Sequence, residues 1–192
     1  MAAPPTLRAD ARRNIELIRA AAVRIFRAQG LSAPLEDVAA EARVSKATIF
    51  NRFGGRVGLI DSVIDEVVAS ELLSLIEEAR STRTIRERVR AYVHAIRALQ
   101  YASPAVNDVL LQGFPDSEPL MALCHAGDAF HGELVAEGHA AGVLAPGLTA
   151  DDFRAMATDN ALALKYGRTR PSRDDYDRRT DLILGGICTP TI

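Results

Sequence analysis

Residues 35–53 read LEDVAAEARVSKATIFNRF, and this stretch decides how the N-terminal third of the chain folds. Its apolar residues are spaced as in two short helices joined by a tight turn. Small Ala39 allows the two helices to cross closely, and Val44 fills the turn. Ile49 and Phe53 lie four residues apart, so they share one face of the second helix. The pattern predicts a helix-turn-helix.

The second of these helices has a polar and basic outer face. Ser45 is a typical N-cap residue for it. The outward positions that follow are Lys46, Ala47, Thr48, Asn51 and Arg52. A helix of this width fits the major groove of DNA, and its positive N-terminal end suits phosphate. The alternative is that these basic residues only form a solvated helix surface.

Charge is unevenly distributed along the 192 residues. The net charge is -2, yet residues 1–60 carry +5 and residues 61–192 carry -7. A basic end on an acidic body suggests that the N-terminal part faces a polyanion. Hydrophobic residues make up 48% and charged residues 25%, which is typical of a globular protein and excludes wholesale disorder.

The sequence also indicates where the protein resides. No apolar run approaches the roughly 18 residues of a membrane span, and no signal peptide is recognisable. The two cysteines, Cys124 and Cys188, are too few for a disulfide framework or a four-thiolate zinc site. We therefore expect a cytoplasmic protein without membrane association.

Helical periodicity continues on both sides of the deciding stretch. The first helix is expected to begin at an Asp10 N-cap and to end at Gly30, and a long helix is expected over about 57–79. Alternating β-branched runs are missing, so we predict no strands. Further helices are predicted to end near Tyr101, Leu111, Ala141, Gly167 and Gly185.

Residues 38–60, VAAEARVSKATIFNRFGGRVGLI, resemble the DNA-binding domain of TetR-family transcriptional regulators, whose pattern reads approximately IA…AGVSKGTLYRHFPSKEAL. The resemblance extends from about Ile15 to Ile60, and spacing, caps and core positions agree together. Residues 30–39, GLSAPLEDVA, further resemble an actinobacterial-type subgroup. The downstream helices are compatible with the variable ligand-binding domain of that family.

The resemblance implies which residues contact DNA. Lys46 and Thr48 lie at the start of the recognition helix, where family members contact phosphate or bases. Arginine can bind guanine and asparagine can bind adenine through two hydrogen bonds each. Arg56 stands at the position of a phosphate-binding Lys. The implied DNA-binding set is Ser45, Lys46, Ala47, Thr48, Phe50, Asn51, Arg52 and Arg56. Arg8, Arg12 and Arg13 are further phosphate candidates ahead of the first helix.

Several positions depart from the family pattern. Phe50 replaces a Tyr that usually donates a hydrogen bond to phosphate, and Ala47 replaces a Gly that allows DNA to approach closely. Arg43 replaces the turn Gly, at a cost on the order of 1 kcal/mol if the position is left-handed. Pro34-Leu35 replace a Thr pair, and Ser32 is the nearest residue that could supply the lost hydroxyl.

A single helix-turn-helix contacts only a few base pairs, so we expect a homodimer whose two heads, about 34 Å apart, bind a palindrome. The resemblance implies that the last two helices, about 149–167 and 172–186, form a four-helix bundle with their symmetry mates. The alternative is that their apolar residues pack within one chain. The residues expected in the interface are Phe153, Met156, Ala157, Ala161, Leu164, Leu182, Ile183 and Ile187.

The middle helices, about 82–141, are expected to enclose an apolar pocket for a small-molecule effector. Its polar candidates are His94, Tyr101, Asn107, Gln112, His125 and His131. His125, Asp128 and His131 are spaced by three residues, but the two histidines lie about 120° apart around a helix, so we predict no shared metal. P-loop, dinucleotide and nucleophile-elbow motifs are missing, so we predict no cofactor and no enzyme activity.

The sequence as a whole predicts an all-α protein with two domains. Residues 1–56 form a three-helix helix-turn-helix DNA-binding domain, and residues 57–192 form a helical effector-binding and dimerisation domain. The predicted function is an effector-responsive transcriptional regulator, most simply a repressor that a small molecule releases from its operator. Two alternatives remain: a small-molecule-binding protein with weakened DNA binding, and a helical-bundle enzyme that uses the His/Asp cluster.

Overall fold

The computed structural model describes the backbone of residues 5–190 and the side chains of residues 12–190. The described chain is helical throughout, as predicted. In chain order the α-helices are α1 (Pro5–Gln29), α2 (Leu35–Ala42), α3 (Lys46–Phe53), α4 (Arg56–Ile64), α5 (Ser70–Arg80), α6 (Ile85–Ala102), α7 (Pro104–Leu110), α8 (Glu118–Ala140), α9 (Ala150–Tyr166) and α10 (Arg173–Ile187). We refer to residues 5–56 as the head and to residues 57–190 as the body.

Local signals place most of these helices where the sequence predicts them. Thr84 and Thr149 both form reciprocal capping boxes, which bond the first free amides of α6 and α9. Gly30 ends α1 with φ of +92°, which glycine adopts without a side-chain clash. One cap prediction was wrong: α1 begins before Asp10, so that residue lies inside the helix.

The head has a small apolar core between α1 and the helix-turn-helix. Ile18 and Phe26 of α1 are fully buried, as are Val38 of α2 and Ile49 of α3. Leu59 of α4 closes the same core. Because these side chains meet at one point, the outer face of α3 is held at a fixed angle to the rest of the head.

The long helix predicted over about 57–79 is interrupted. Asp65–Ala69 form a π-helical turn between α4 and α5, so the path continues but the register changes. The guanidinium of Arg27 on α1 donates through Nε to the Glu66 carbonyl at 3.1 Å, and Arg19 pairs with the Glu66 carboxylate at 2.8 Å. The head therefore holds the widened turn from outside.

The body packs α6, α8 and α9 around apolar side chains that continue the core of the head. Val89, Phe130 and Leu134 are fully buried in it. The chain end is tied to the α8–α9 turn, because Leu144 and Cys188 form an isolated β-bridge, the only strand-like pairing in the described chain. Within residues 5–190, no helix is long and apolar enough to span a membrane.

Candidate nucleic-acid interface and effector cavity

The start of α3 is capped as the sequence predicts. Ser45 has extended backbone angles, and its Oγ accepts a hydrogen bond from the Thr48 amide at 3.2 Å. The Ser45 and Thr48 hydroxyls also lie 2.9 Å apart. This arrangement fixes the first turn of α3 and leaves its remaining amides directed outward from the head.

The outer face of α3 is exposed over its whole length. Phe50 is 49% exposed, which is unusual for a large apolar side chain. Thr48 is half-buried, whereas Ile49 points into the head core. The fully exposed positions are Lys46, Ala47, Asn51 and Arg52, together with Arg12 and Arg13 on α1. The side chain of Arg8 lies outside the described residues.

Lys46 is held by an acidic residue of the preceding helix. Its Nζ lies 2.5 Å from Oε1 of Glu36, which is at the N-terminal end of α2. The hydrogen bond from Lys46 lowers the pKa of the exposed Glu36 carboxyl, so that group is fully ionised at neutral pH. Glu36 therefore places a negative charge beside the face that the sequence assigns to DNA.

Arg56 is engaged inside the head. Its Nη1 donates to the carbonyl oxygens of Leu31 and Ala33, at 2.8 and 2.6 Å. Partial burial lowers the pKa of this guanidinium. In this arrangement Arg56 holds the α1–α2 loop, and its Nη1 does not extend toward a phosphate.

Arg43 has the left-handed conformation that the missing turn glycine suggested. Its φ is +56°, and its amide donates to the Ala40 carbonyl at 3.1 Å. The next residue, Val44, packs against the head core and bonds the Ala39 carbonyl. The turn between α2 and α3 is therefore formed with an arginine at a strained position.

A polar cluster joins the head to the body. Oδ2 of Asp108 on α7 accepts hydrogen bonds from both the amide and the hydroxyl of Ser32, and Lys165 of α9 pairs with its Oδ1. Asp108 is only 2% exposed. Ser32 thus faces the body, and the idea that its hydroxyl replaces a lost DNA contact was wrong. Sequence reasoning missed Asp108 and Lys165, because nothing local marks a contact across 57 residues.

A cavity of about 60 Å³ lies in the body between α5, α6, α8 and α9, with the end of α7 forming part of its wall. Its lining is mainly apolar. Leu72, Leu75 and Ile76 come from α5, and Val109 and Leu110 come from α7. The cavity is smaller than the roughly 300–1,000 Å³ that is typical of small-molecule sites, so a bound ligand requires its walls to move apart.

A buried pair of polar side chains lies in this apolar lining. The Tyr92 hydroxyl is 2.6 Å from Nε2 of His131, and the His131 ring stacks on Phe153. Burial lowers the pKa of His131 to about 4, so the ring is neutral at physiological pH. Burial likewise raises the pKa of Tyr92, which keeps its proton. The pair is therefore uncharged.

The charged residues of the lining neutralise one another. Arg154 lies 3.6 Å from the Asp128 carboxylate and 2.6 Å from that of Asp151. Burial raises the pKa of the Cys124 thiol, which also lines the cavity, so that group is protonated. No thiolate nucleophile is available there.

The six predicted ligand residues are distributed over three places. Gln112 and His131 line the cavity, whereas Tyr101 and Asn107 line a separate cleft beside Lys165. His94 lies at the surface, 3.2 Å from Asp181. His125 is exposed and lines neither cavity. Sequence reasoning missed Tyr92 and Arg154, which follow ordinary helical spacing and become cavity residues only through packing.

The His125–Asp128–His131 spacing does not bring three ligands together. His131 is buried, but His125 is exposed on the same helix. Among residues 12–190, no group of three or more His, Cys, Asp or Glu side chains could hold a metal ion.

Part of this chain matches a known protein family. The family described as "Bacterial regulatory proteins, tetR family" matches residues 18–63, which span the second half of α1, all of α2 and α3, and nearly all of α4. Residues 18–63 therefore match a TetR-type helix-turn-helix. The match covers the helix-turn-helix, and the body helices surround a cavity, which agrees with a regulator that carries DNA-binding and ligand-binding parts.

Solved structures share the fold of this chain over nearly its whole length. The ketosteroid transcriptional regulator KstR2 of Mycobacterium tuberculosis is 17% identical with a TM-score of 0.65, and 93% of this chain and 96% of that chain are covered. The TetR regulator SCO0520 of Streptomyces coelicolor is 26% identical with a TM-score of 0.54, and the coverage is 92% and 99%. Both organisms agree with the actinobacterial-type resemblance.

A further structure has both kinds of partner bound. AibR, in complex with isovaleryl coenzyme A and operator DNA, is 14% identical with a TM-score of 0.69, and 93% of this chain and 100% of that chain are covered. At this identity the likeness shows the fold alone. A comparison with curated proteins found no match.

Proposed function

We propose that this regulator is a repressor that binds a palindromic operator as a homodimer and is released by a small molecule in the body cavity. Residues 1–56 are the DNA-binding domain, and residues 57–192 are the effector-binding and dimerisation domain. The observation that carries the proposal is the position of α7. Asp108 of that helix contacts the head, and the two residues after it line the cavity.

The proposed DNA surface is the exposed face of α3 and its flanks. Asn51 and Arg52 are free to reach base edges, and Arg52 has no ion-pair partner among residues 12–190. Ser45, Ala47 and Thr48 lie at the positive end of the helix, where phosphate is favoured. Lys46 is available once its pair with Glu36 opens, and Phe50 offers an apolar contact.

The proposed dimer surface differs from the residues that the sequence predicted. Phe153, Ala161 and Ile187 are buried within the chain, so they cannot pack against a second copy. Instead α9 and α10 expose three apolar side chains on their outer surfaces, of which the sequence predicted only Leu182. These are Leu162, Tyr166 and Leu182, of which Tyr166 is 70% and Leu182 is 65% exposed. We propose that they form the centre of the bundle between two copies.

Release of DNA requires that the effector favours one of two arrangements of the heads. Two elements lead from the cavity to the head. The first is α7, through Asp108 and Ser32. The second is the path from α5 through the π-helical turn to α4, whose Arg56 holds the α1–α2 loop. A ligand that moves the α5 and α7 walls apart would therefore shift the head.

One observation favours the alternative of a ligand-binding protein with weakened DNA binding. Phe50 lacks the hydroxyl of the usual Tyr, and Arg56 is bonded within the head. The enzyme alternative has less support, because the His/Asp cluster does not converge and the thiol in the cavity is protonated. Selection of DNA fragments distinguishes the repressor from a ligand-binding protein with weakened DNA binding.

The test is selection of genomic DNA fragments by the purified protein at low salt. We expect enrichment of one short palindrome. The double variant Lys46→Ala and Arg52→Ala is expected to lose that enrichment, because it removes two cations from the outer face of α3.

Arg83→Ala is the matched control, since Arg83 is an exposed arginine in the α5–α6 loop of the body. It is expected to keep the same enriched sequence. Absence of enrichment by the unmodified protein would instead support the ligand-binding alternative. Equal loss in the control and the double variant would contradict the assignment of α3.

A further inference from the structure

The Nδ1 atom of His131 has no hydrogen-bond partner among residues 12–190, although its ring is only 5% exposed. A buried polar atom without a partner costs free energy, so native proteins rarely leave one. His131 lines the body cavity. The unpartnered atom therefore points to a group that is supplied from the cavity.

Hydrogen-bond accounting indicates which role Nδ1 plays. If the Tyr92 hydroxyl donates to Nε2, the neutral ring carries its proton on Nδ1, and one donor remains unpaired. If Nε2 donates to Tyr92, both the Tyr92 proton and the Nδ1 lone pair lack partners. The first arrangement leaves fewer buried groups unsatisfied, so it is favoured. Nδ1–H is then a donor that requires an acceptor.

The charges around the cavity select against an anionic ligand. Its only cation, Arg154, is already paired with Asp128 and Asp151. A carboxylate beside His131 would be desolvated, would meet no free cation among the described lining residues and would lie near Asp128. Apart from Gln112, Cys124 and Thr158, the remaining lining is apolar and suits hydrocarbon.

We propose that the cavity binds a neutral, mainly apolar molecule whose carbonyl oxygen accepts a hydrogen bond from Nδ1–H of His131. The proposal rests on the proposed function because it names the chemical class of the effector. Binding to the cavity can nevertheless be measured without DNA. The Tyr92 hydroxyl orients the ring, and α5 and α7 enclose the hydrocarbon part.

The test measures binding to the full chain without DNA, by calorimetry at pH 7.5. The probes share one chain length and differ in the head group: 2-decanone, decanoate and decylammonium. We expect 2-decanone to bind at least about tenfold more tightly than either charged probe, which corresponds to the loss of one buried hydrogen bond and the desolvation of a charge. Tighter binding of decanoate, or no binding of any probe, would overturn the proposal.

Variants locate the donor. His131→Phe keeps a ring and removes the donor, so affinity for 2-decanone is expected to fall about tenfold. His131→Gln retains an N–H and is expected to recover part of that affinity. His125→Phe makes the same change at an exposed histidine of α8 outside the cavity and is the matched control, with a change of less than about twofold expected. Thermal unfolding confirms that each variant is folded.

An unchanged preference in His131→Phe, or an equal loss in His125→Phe, would contradict the assignment of His131. The release of operator DNA is measured separately. Binding of 2-decanone without release of DNA would support the ligand class and contradict the repressor mechanism. Release of DNA without a preference for the ketone would support the repressor mechanism and contradict the ligand class.

Discussion

At the scale of single residues, the functional surfaces depend on a few charges and on how they are paired. Glu36 holds Lys46 on the face proposed for DNA, and Tyr92 holds a neutral His131 in the cavity. Neither partner belongs to the set of residues that the sequence assigned to a site. Both pairs can be tested by substitutions that remove one charge or one titratable group.

His131 makes the stability of the protein depend on pH. Its folded pKa of about 4 lies below the ordinary value of 6.5, with burial as the main cause, Asp128 acting in the opposite direction and Arg154 in the same direction. The unfolded chain therefore binds the proton at a higher pH. The contribution to stability is complete above about pH 6.5 and is lost as the pH falls toward 4.

His131→Gln removes this titration, so its free energy of unfolding should decline less between pH 7 and pH 4.5. The expected difference from the unmodified protein is roughly 2 kcal/mol over that interval. Urea unfolding at the two pH values measures it. Parallel declines in the two proteins would show that the ring is not held neutral by the fold.

Glu36→Gln should strengthen DNA binding. The substitution frees Lys46 and removes a negative charge near the phosphates, so affinity for the enriched DNA is expected to rise several-fold and the salt slope to steepen by about one. Glu41→Gln is the control, because Glu41 lies on the same helix and pairs with Arg24 of α1 at 2.8 Å. An equal effect of both substitutions would indicate only a change of net charge.

At the scale of elements, the angle between α3 and α4 depends on one glycine. A Cβ at Gly58 would overlap the carbonyl oxygen of Phe53, the last residue of α3. That oxygen belongs to the backbone and cannot move aside without moving the helix end. Gly58 therefore allows α4 to leave the head close beside the recognition helix.

Gly58→Ala should destabilise the protein by about 1–3 kcal/mol, because the overlap forces a backbone shift. Gly132→Ala is the matched control, since Gly132 is also helical but has open space at its Cβ position. That substitution is expected to raise stability by up to about 1 kcal/mol. Thermal and urea unfolding compare the two, and similar losses would contradict the close crossing of α3 and α4.

At the scale of the whole molecule, the head and the body are joined by hydrogen bonds from Ser32 to a buried aspartate, and the proposed dimer surface lies on the far helices. Asp108 of α7 also pairs with Lys165 of α9, so two helices and the α1–α2 loop meet at this point. A Cβ at Gly30 would lie 2.6 Å from the Asp108 carboxylate, so the loop approaches the body as closely as its backbone permits. We therefore expect that motion of α7 would be transmitted to the head.

Leu182→Glu should convert the proposed dimer into monomers, because it places a charge at the centre of an apolar interface. Affinity for a palindrome should fall at least tenfold, since two linked heads bind more tightly than one. Analytical ultracentrifugation and DNA binding measure both effects. Leu73→Glu is the control on α5, where Leu73 is similarly apolar and exposed. A dimeric Leu182→Glu protein would contradict the assigned surface.

Much of the fold follows from the sequence because its signals act over a few residues. The Ser45 cap, the Thr149–Asp152 capping box and the Gly30 stop each depend on hydrogen bonds or backbone angles within one helical turn. The helix-turn-helix is likewise contained in residues 35–53. The sequence by itself therefore determined the helices and the TetR-type helix-turn-helix.

Only the tertiary structure decided which side chains meet across long separations. Ser32 and Asp108 are 76 residues apart, and Tyr92 and His131 are 39 residues apart. Helical periodicity indicates that a residue lies on the apolar face of its helix. Which residue it contacts on another helix depends on how the two helices cross. The same reason explains Phe153 and Ile187, which are apolar as expected and pack within the chain because α9 and α10 turn those faces inward.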